Sequence, residues 1–223
     1  VGPTDCNLPH IFEYAASVDV GGEIDHYPSP QEWIALAVSH CTGPAEAQLG
    51  GAFDPDGKYR PDALTQTQQT WERGTRSIIC GIGSALPAHD TPDGTYVPFT
   101  GAARFATQWY DRPAGSCAQG RFQRVVDCSQ PHEFEHSGTF DLSARTPTPP
   151  APDDRTGWQT VVGEGCTAPA VAHLGRALRS DEQVRWFQID ARSWALGRHS
   201  VTCAIVKIGN DEPLTIMGSM KGT

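Results

Sequence analysis

The decapeptide Cys41–Gly50, CTGPAEAQLG, returns at Cys166–Gly175 as CTAPAVAHLG, with seven of ten positions unchanged. The surrounding sequence repeats in step with it. Trp33 stands eight residues before Cys41, and Trp158 eight before Cys166. Upstream, Cys6-x-x-Pro9-His10-x-x-Glu13 matches Cys128-x-x-Pro131-His132-x-x-Glu135. Downstream, Trp71-x-x-Gly74-x5-Cys80 matches Trp194-x-x-Gly197-x5-Cys203. Four landmarks in one order at nearly constant separation read as an internal duplication. Two units are therefore expected, residues 1–106 and 107–223.

Each unit is long enough to bury a small core of its own. The chain carries a formal net charge of −9, and its only lysines are Lys58, Lys207 and Lys221. With no basic cluster to neutralise phosphates, nucleic acid is excluded as an expected partner. The same balance argues against a helix adsorbed on anionic lipid. No apolar run approaches a membrane-spanning length and the first residues do not form a signal peptide, so membrane contact is expected only through a segment absent from this chain. No cofactor or metal is expected.

None of the seven cysteines stands in C-x-x-C, the usual zinc or redox spacing. Widely spaced cysteines at repeating positions suit disulfides in an oxidising compartment. The expected pairs are Cys41–Cys80 and Cys166–Cys203, repeated in kind, with Cys117–Cys128 between them. Each long loop would contribute about 4 kcal/mol on the chain-entropy model. Cys6 is left over, because the counterpart of Cys117 would fall upstream of Val1.

The pattern between landmarks is α+β. Phe12, Tyr14, Ala16, Val18 and Val20 alternate as in a strand. Ser29-x-x-Glu32 is a capping box with Pro30 at the first helical position, and Gly50 is a natural stop. Pro44 either kinks this helix or begins a second. Residues 51–63 read as loop, Arg76–Ile82 as strand, His89–Gly94 as a turn, and Val97–Phe105 as extended or irregular. In the second unit Arg121–Cys128, His132–Leu142 and Arg198–Ile208 read as strands and Trp158–Gly175 as helix, with Thr146–Pro152 an exposed loop. Each unit is thus expected to be one helical segment on a small antiparallel sheet, stapled by disulfide.

His132-Glu133-Phe134-Glu135-His136 satisfies H-E-x-x-H, which binds zinc only where a helix puts both imidazoles on one face. Here the flanking alternation is that of a strand, which would hold the two histidines about 13 Å apart. The duplication keeps His10 and Glu13, and His132 and Glu135. These four are the candidate functional residues, as acid–base or metal groups, set against a structural role for imidazoles near the cystines. Trp33, Trp71, Trp158 and Trp194 could stack on a ligand or pack the core, and Arg76 could hold a carboxylate. No nucleophile elbow, phosphate-binding loop or dinucleotide fingerprint is present. No catalytic residue is assigned.

The succession Gly115-Ser116-Cys117, Val126-Asp127-Cys128-Ser129-x-Pro131-His132-x-x-Glu135, Trp158-x7-Cys166, Trp194-x-x-Gly197-x5-Cys203 and Gly218-Ser219-x-x-Gly222 resembles the septum formation domain. The first unit carries the pattern from Cys6 onward, with WERGTRSIIC (Trp71–Cys80) the closer match to that family's W-x-x-G-x-R-x-x-x-C. It lacks the initial G-x-C, and His199 stands where the second unit would have the arginine. The resemblance implies an extracytoplasmic module of actinobacterial envelope proteins, membrane-anchored elsewhere in the chain and associated by name with cell division. It brings no established catalytic residue. The expected function is non-catalytic: an interaction domain for envelope or division proteins, or for peptidoglycan, with the loops 51–63, 87–98 and 143–156 carrying specificity. The alternatives are a glycan- or peptide-binding domain using the tryptophans, and a His/Glu metal-dependent hydrolase.

Overall fold

The computed structural model describes residues 2–55, 57–84, 96–110, 112–120, 124–210 and 212–222. The chain is α+β and divides into two compact units, Val1–Tyr110 and Asp111–Thr223. The boundary falls four residues beyond the expected 106/107. Gln108 is the reason. It donates from Nε2 to the Ala52 carbonyl at 2.9 Å, accepts from the Asp54 N–H at 2.7 Å, and takes the Lys58 N–H on its own carbonyl at 2.7 Å. Those bonds hold residues 107–110 to the first unit.

In the first unit, strands β1 (Phe12–Asp19), β2 (Tyr59–Leu64) and β3 (Ser77–Ser84) form an antiparallel sheet in the order β1-β3-β2. Residues 51–63 are therefore not all loop: Tyr59 onward pairs with β3, and the buried Tyr59 ring packs with Leu49 and Ile82. Proline at position 61 hid this strand, although an edge strand tolerates it. Helix α1 (Pro30–Leu49) begins at the Ser29–Glu32 capping box and ends at Gly50, whose φ of 87° only glycine adopts readily. It runs unbroken with Pro44 inside, deciding between the two readings of that proline. Its buried face, Trp33, Leu36, Cys41, Ala45 and Leu49, recurs at helical spacing against the sheet. The Cys41–Cys80 disulfide ties that face to the central strand. A short helix α2 (Gln68–Glu72), capped by Thr67, delivers Trp71 edge-on to Trp33, ring centroids 5.6 Å apart at 89°. Gly81 has to be glycine, because a Cβ there would lie 2.2 Å from the Glu13 carbonyl oxygen on β1.

The second unit holds β4 (Cys117–Gln119), β5 (Arg124–Val126), β6 (Phe134–Asp141), β7 (Glu182–Trp186), β8 (Ser200–Gly209) and β9 (Glu212–Pro213). The sheet order is β5-β4-β6-β8-β7, with β9 on β8, and every pairing is antiparallel. The helical segment opens with α3 (Arg155–Trp158), capped by Asp154, passes through a π-helical stretch at Gln159–Gly163, and continues as α4 (Glu164–Leu174) to Gly175, φ 69°. The Cys166–Cys203 disulfide joins α4 to β8, and Cys117–Cys128 joins β4 to the turn beyond β5. Leu142, Trp158, Val162, Ile189 and Val201 pack around the first of these. A last short helix, α5 (Ala191–Ala195), carries Trp194. The turn expected at His89–Gly94 and the start of the strand expected from Arg121 lie outside the described residues.

Candidate functional site

Glu135 sits on β6, the strand between β4 and β8, and is fully buried. An ionised carboxylate in such a place costs several kcal/mol unless donors surround it. Three do. His173 Nε2 approaches Oε1 at 2.6 Å, Ser219 Oγ donates to the same oxygen at 2.7 Å, and the Met220 N–H donates to Oε2 at 2.6 Å. His173 lies seven residues after Cys166, two helical turns on, so it shares the face that the cystine presses onto the sheet. One carboxylate thus ties β6 to α4 and to the C-terminal segment.

Glu13 does the same on β1 with different donors. Gln48, seven residues after Cys41, donates from Nε2 to Oε1 at 2.7 Å, and the Ala103 N–H donates to Oε2 at 2.7 Å. The serine hydroxyl has no counterpart, because Ala102 stands where the second unit has Ser219.

The two histidines are nearly identical in bonding. The His10 Nδ1–H donates to the Leu8 carbonyl and that of His132 to the Gln130 carbonyl, each at 2.8 Å. The backbones of His10 and Phe99 exchange both hydrogen bonds, at 2.9 and 2.8 Å, as do those of His132 and Ile216. Each Nε2 is buried and has no hydrogen-bond partner among the described residues. These contacts pin the segment that returns to deliver Ala103 or Met220 to the glutamate.

Among the described residues, two groups of three metal-ligating side chains emerge, Cys6–His10–Glu13 and Cys117–His132–Glu135, each with ligand atoms within 4.8 Å of one another. In the second, Cys117 is committed to Cys128 and offers no thiolate. In the first, Cys6 is a free, exposed thiol. A thiolate, an imidazole with its other nitrogen bonded to a carbonyl and a hydrogen-bonded carboxylate are all chemically competent for Zn²⁺. Among the described residues, no such group contains both His132 and His136 of the H-E-x-x-H match. His136 lies on β6 with its Nδ1 on the Ser116 carbonyl at 3.1 Å and near the Ser116 hydroxyl at 2.9 Å. Burial and the nearby Arg112 charge lower its pKa to about 4.

Ser219, Glu135 and His173 do not form a nucleophile–base pair. The carboxylate lies between the other two, so the imidazole nitrogen is spent on Glu135 rather than on the serine proton. The tryptophans face inward: Trp33, Trp71 and Trp158 are 8%, 2% and 1% exposed. Trp194 is half-buried with its ring against His199, centroids 4.3 Å apart. Arg76 lies over the Trp71 ring and donates to the Trp71 carbonyl. Reading the sequence passed over His173, Ser219, Gln48 and the Ala103 and Met220 N–H groups. The signal for two of them was present, since Gln48/His173 is a non-identical but hydrogen-bonding position inside the matching decapeptides.

Among the described residues, no helix is long and apolar enough to cross a membrane. The chain is 28% identical, over 97% of its length, to uncharacterized membrane proteins of Mycobacterium tuberculosis from strains CDC 1551 and H37Rv. It spans 51% of those relatives' length. No solved structure matches it. The family model described as septum formation matches residues 1–203, and the chain belongs to that family.

Proposed function

We propose that this chain is a non-catalytic, extracytoplasmic module of a membrane-anchored envelope protein, serving as a protein-interaction domain in cell division. We further propose that its two units descend from one duplicated ancestor. The observation that carries the first reading is the fate of Glu13 and Glu135. Both oxygens of each are spent on donors of the protein's own fold, linking a strand, a helix and the returning segment. Groups so engaged support architecture rather than turnover. Three cystines support an oxidising compartment, and the relatives' description as membrane proteins supports an anchored envelope setting. Family membership supports the link to septation and to division proteins as partners. The inward tryptophans disfavour stacking on peptidoglycan.

The duplication is supported by more than spacing. Both β1 and β6 are bulged at matching places, between Tyr14 and Ala16 and between His136 and Gly138. Both glutamates meet the eighth residue of the matching decapeptide.

The test is complementation with Glu13→Gln and Glu135→Gln, which keep shape and one oxygen acceptor. Cells whose single copy carries both changes, in a protein that still melts cooperatively, should place septa normally. Loss of function in a folded variant would point to chemistry at these carboxylates and end the non-catalytic reading.

A further inference from the structure

The cystine between β4 and its turn differs from the other two. Cys41–Cys80 and Cys166–Cys203 join residues that are all fully buried. Cys117–Cys128 instead joins a buried residue on β4 to a partly exposed one in the turn beyond β5. An incoming thiolate therefore reaches the sulfur of Cys128, and Cys117 is the sulfur it displaces.

What surrounds Cys117 is suited to a cation. Cys117 lies opposite Glu135 in the β4–β6 pairing, and ligand atoms of Cys117, His132 and Glu135 lie within 4.8 Å of one another. All three residues are fully buried. The His132 ring is already oriented, because its Nδ1–H is held by the Gln130 carbonyl. That leaves Nε2 as the nitrogen able to take a metal, and it has no hydrogen-bond partner among the described residues. A buried acceptor left in this way costs free energy that a bound cation would recover. Glu135 has room as well. A carboxylate offers about four lone-pair sites. Among the described residues His173, Ser219 and the Met220 N–H take three of them, which leaves one on Oε2. A Cys117 thiolate buried beside this carboxylate would be repelled by it, and a divalent cation neutralises both charges.

We infer that opening the Cys117–Cys128 cystine creates a zinc site from Cys117, His132 and Glu135, with Cys128 at the partly exposed fourth position. Thiolate, neutral imidazole and carboxylate are the ordinary ligands of Zn²⁺ in a tetrahedral structural site. The carbonyl on His132 Nδ1 and the donors on Glu135 are the outer contacts that orient such ligands. The metal takes over the work of the cystine, holding β4 and the turn to β6 in the reduced chain. The reductant is a dithiol. It gives two electrons and two protons to the S–S bond and becomes a disulfide itself, leaving Cys117 and Cys128 as thiols. Each thiol then releases its proton to water as its sulfur binds Zn²⁺.

This site goes beyond the interaction role proposed above and does not depend on it. The test is uptake of cobalt(II), a coloured stand-in for zinc, by the whole chain, read from the visible absorption of tetrahedral thiolate ligation. Every protein carries Cys6→Ser, which removes the free thiol. After mild treatment with a phosphine reductant, alkylation mapping should find Cys117–Cys128 open and the two buried cystines intact. That chain should bind a single cobalt ion, which zinc displaces, and the oxidised chain should bind none. Cys128→Ala frees Cys117 with no reductant, so it guards against unfolding on reduction. It should also take up cobalt, and its second unit should melt at a higher temperature with zinc than without. His132→Ala should abolish uptake in both settings. No cobalt absorption from either the reduced chain or Cys128→Ala would overturn the proposal. Uptake that His132→Ala leaves unchanged, or that the oxidised chain shows equally, would overturn it too.

Discussion

Replacing Glu135 by alanine should unfold the second unit more readily than any conservative change at that position. The carboxylate accepts from His173, Ser219 and the Met220 N–H at 2.6–2.7 Å. His173 can change tautomer and Ser219 can rotate its hydroxyl, but the Met220 N–H is fixed by the chain and its bond to Glu135 is buried. Stranding it costs about 1–3 kcal/mol, and losing the charge-assisted bonds and the side chain's packing adds a similar amount. The sum is about 4 kcal/mol, a large fraction of a small domain's stability. A loss of that size lowers the melting transition by roughly 15 °C. Glu135→Gln keeps one oxygen for Met220 and turns an amide N–H toward His173 Nε2, so its cost should be about 1 kcal/mol. The assay is differential scanning calorimetry of the whole chain, with the two units' transitions assigned by Glu13→Ala, which should shift the other one. Alanine and glutamine variants at position 135 melting within 2 °C of each other, a margin well under the ~4 °C expected per kcal/mol, would refute the claim that this carboxylate holds the unit together.

Three further outcomes follow from the same structure. His136 is buried with its pKa lowered to about 4, so between that value and its ordinary 6.5 the unfolded chain binds more protons than the folded one. Stability of the second unit should therefore fall as pH drops through that window, by up to about 3 kcal/mol, and urea midpoints of His136→Gln should show a shallower slope there. The Cys166–Cys203 and Cys117–Cys128 cystines close loops of 37 and 11 residues. Paired alanine substitutions should cost about 4 and about 3 kcal/mol on the chain-entropy model, a ranking that urea unfolding checks. Glu182 is held at about 2 by the Arg176 guanidinium, which donates to both its oxygens at 2.7 and 2.8 Å. That contribution is present above pH 4.5 and lost as the solution is acidified toward 2, and Arg176→Gln should remove this acid dependence in a pH-resolved melt.

The capping box at Ser29, the glycine stops at Gly50 and Gly175 and the alternation in β1 and β6 are local signals, and each predicted its element. The proline at 61 hid β2 because a ladder position on an edge strand is indistinguishable, in sequence, from a turn. The boundary after Tyr110 was hidden because Gln108 acts through bonds to residues more than fifty positions away. The site divides the same way. His10, Glu13, His132 and Glu135 were legible as recurring pairs. Of their partners, Gln48 and His173 left a signal in the matching decapeptides, whereas Met220 and Ala103 contribute only backbone N–H groups, which leave no trace in side-chain identity. Ser219 and Ala102 differ, so that position carried no recurrence to notice.

The most direct measurement is where the full-length protein sits in dividing cells, followed with a tag that folds outside the cytoplasm. A division-linked envelope module should concentrate at the septum as constriction begins, and should still do so with Glu13 and Glu135 both changed to glutamine. A signal spread evenly over the envelope throughout division would contradict the proposed role.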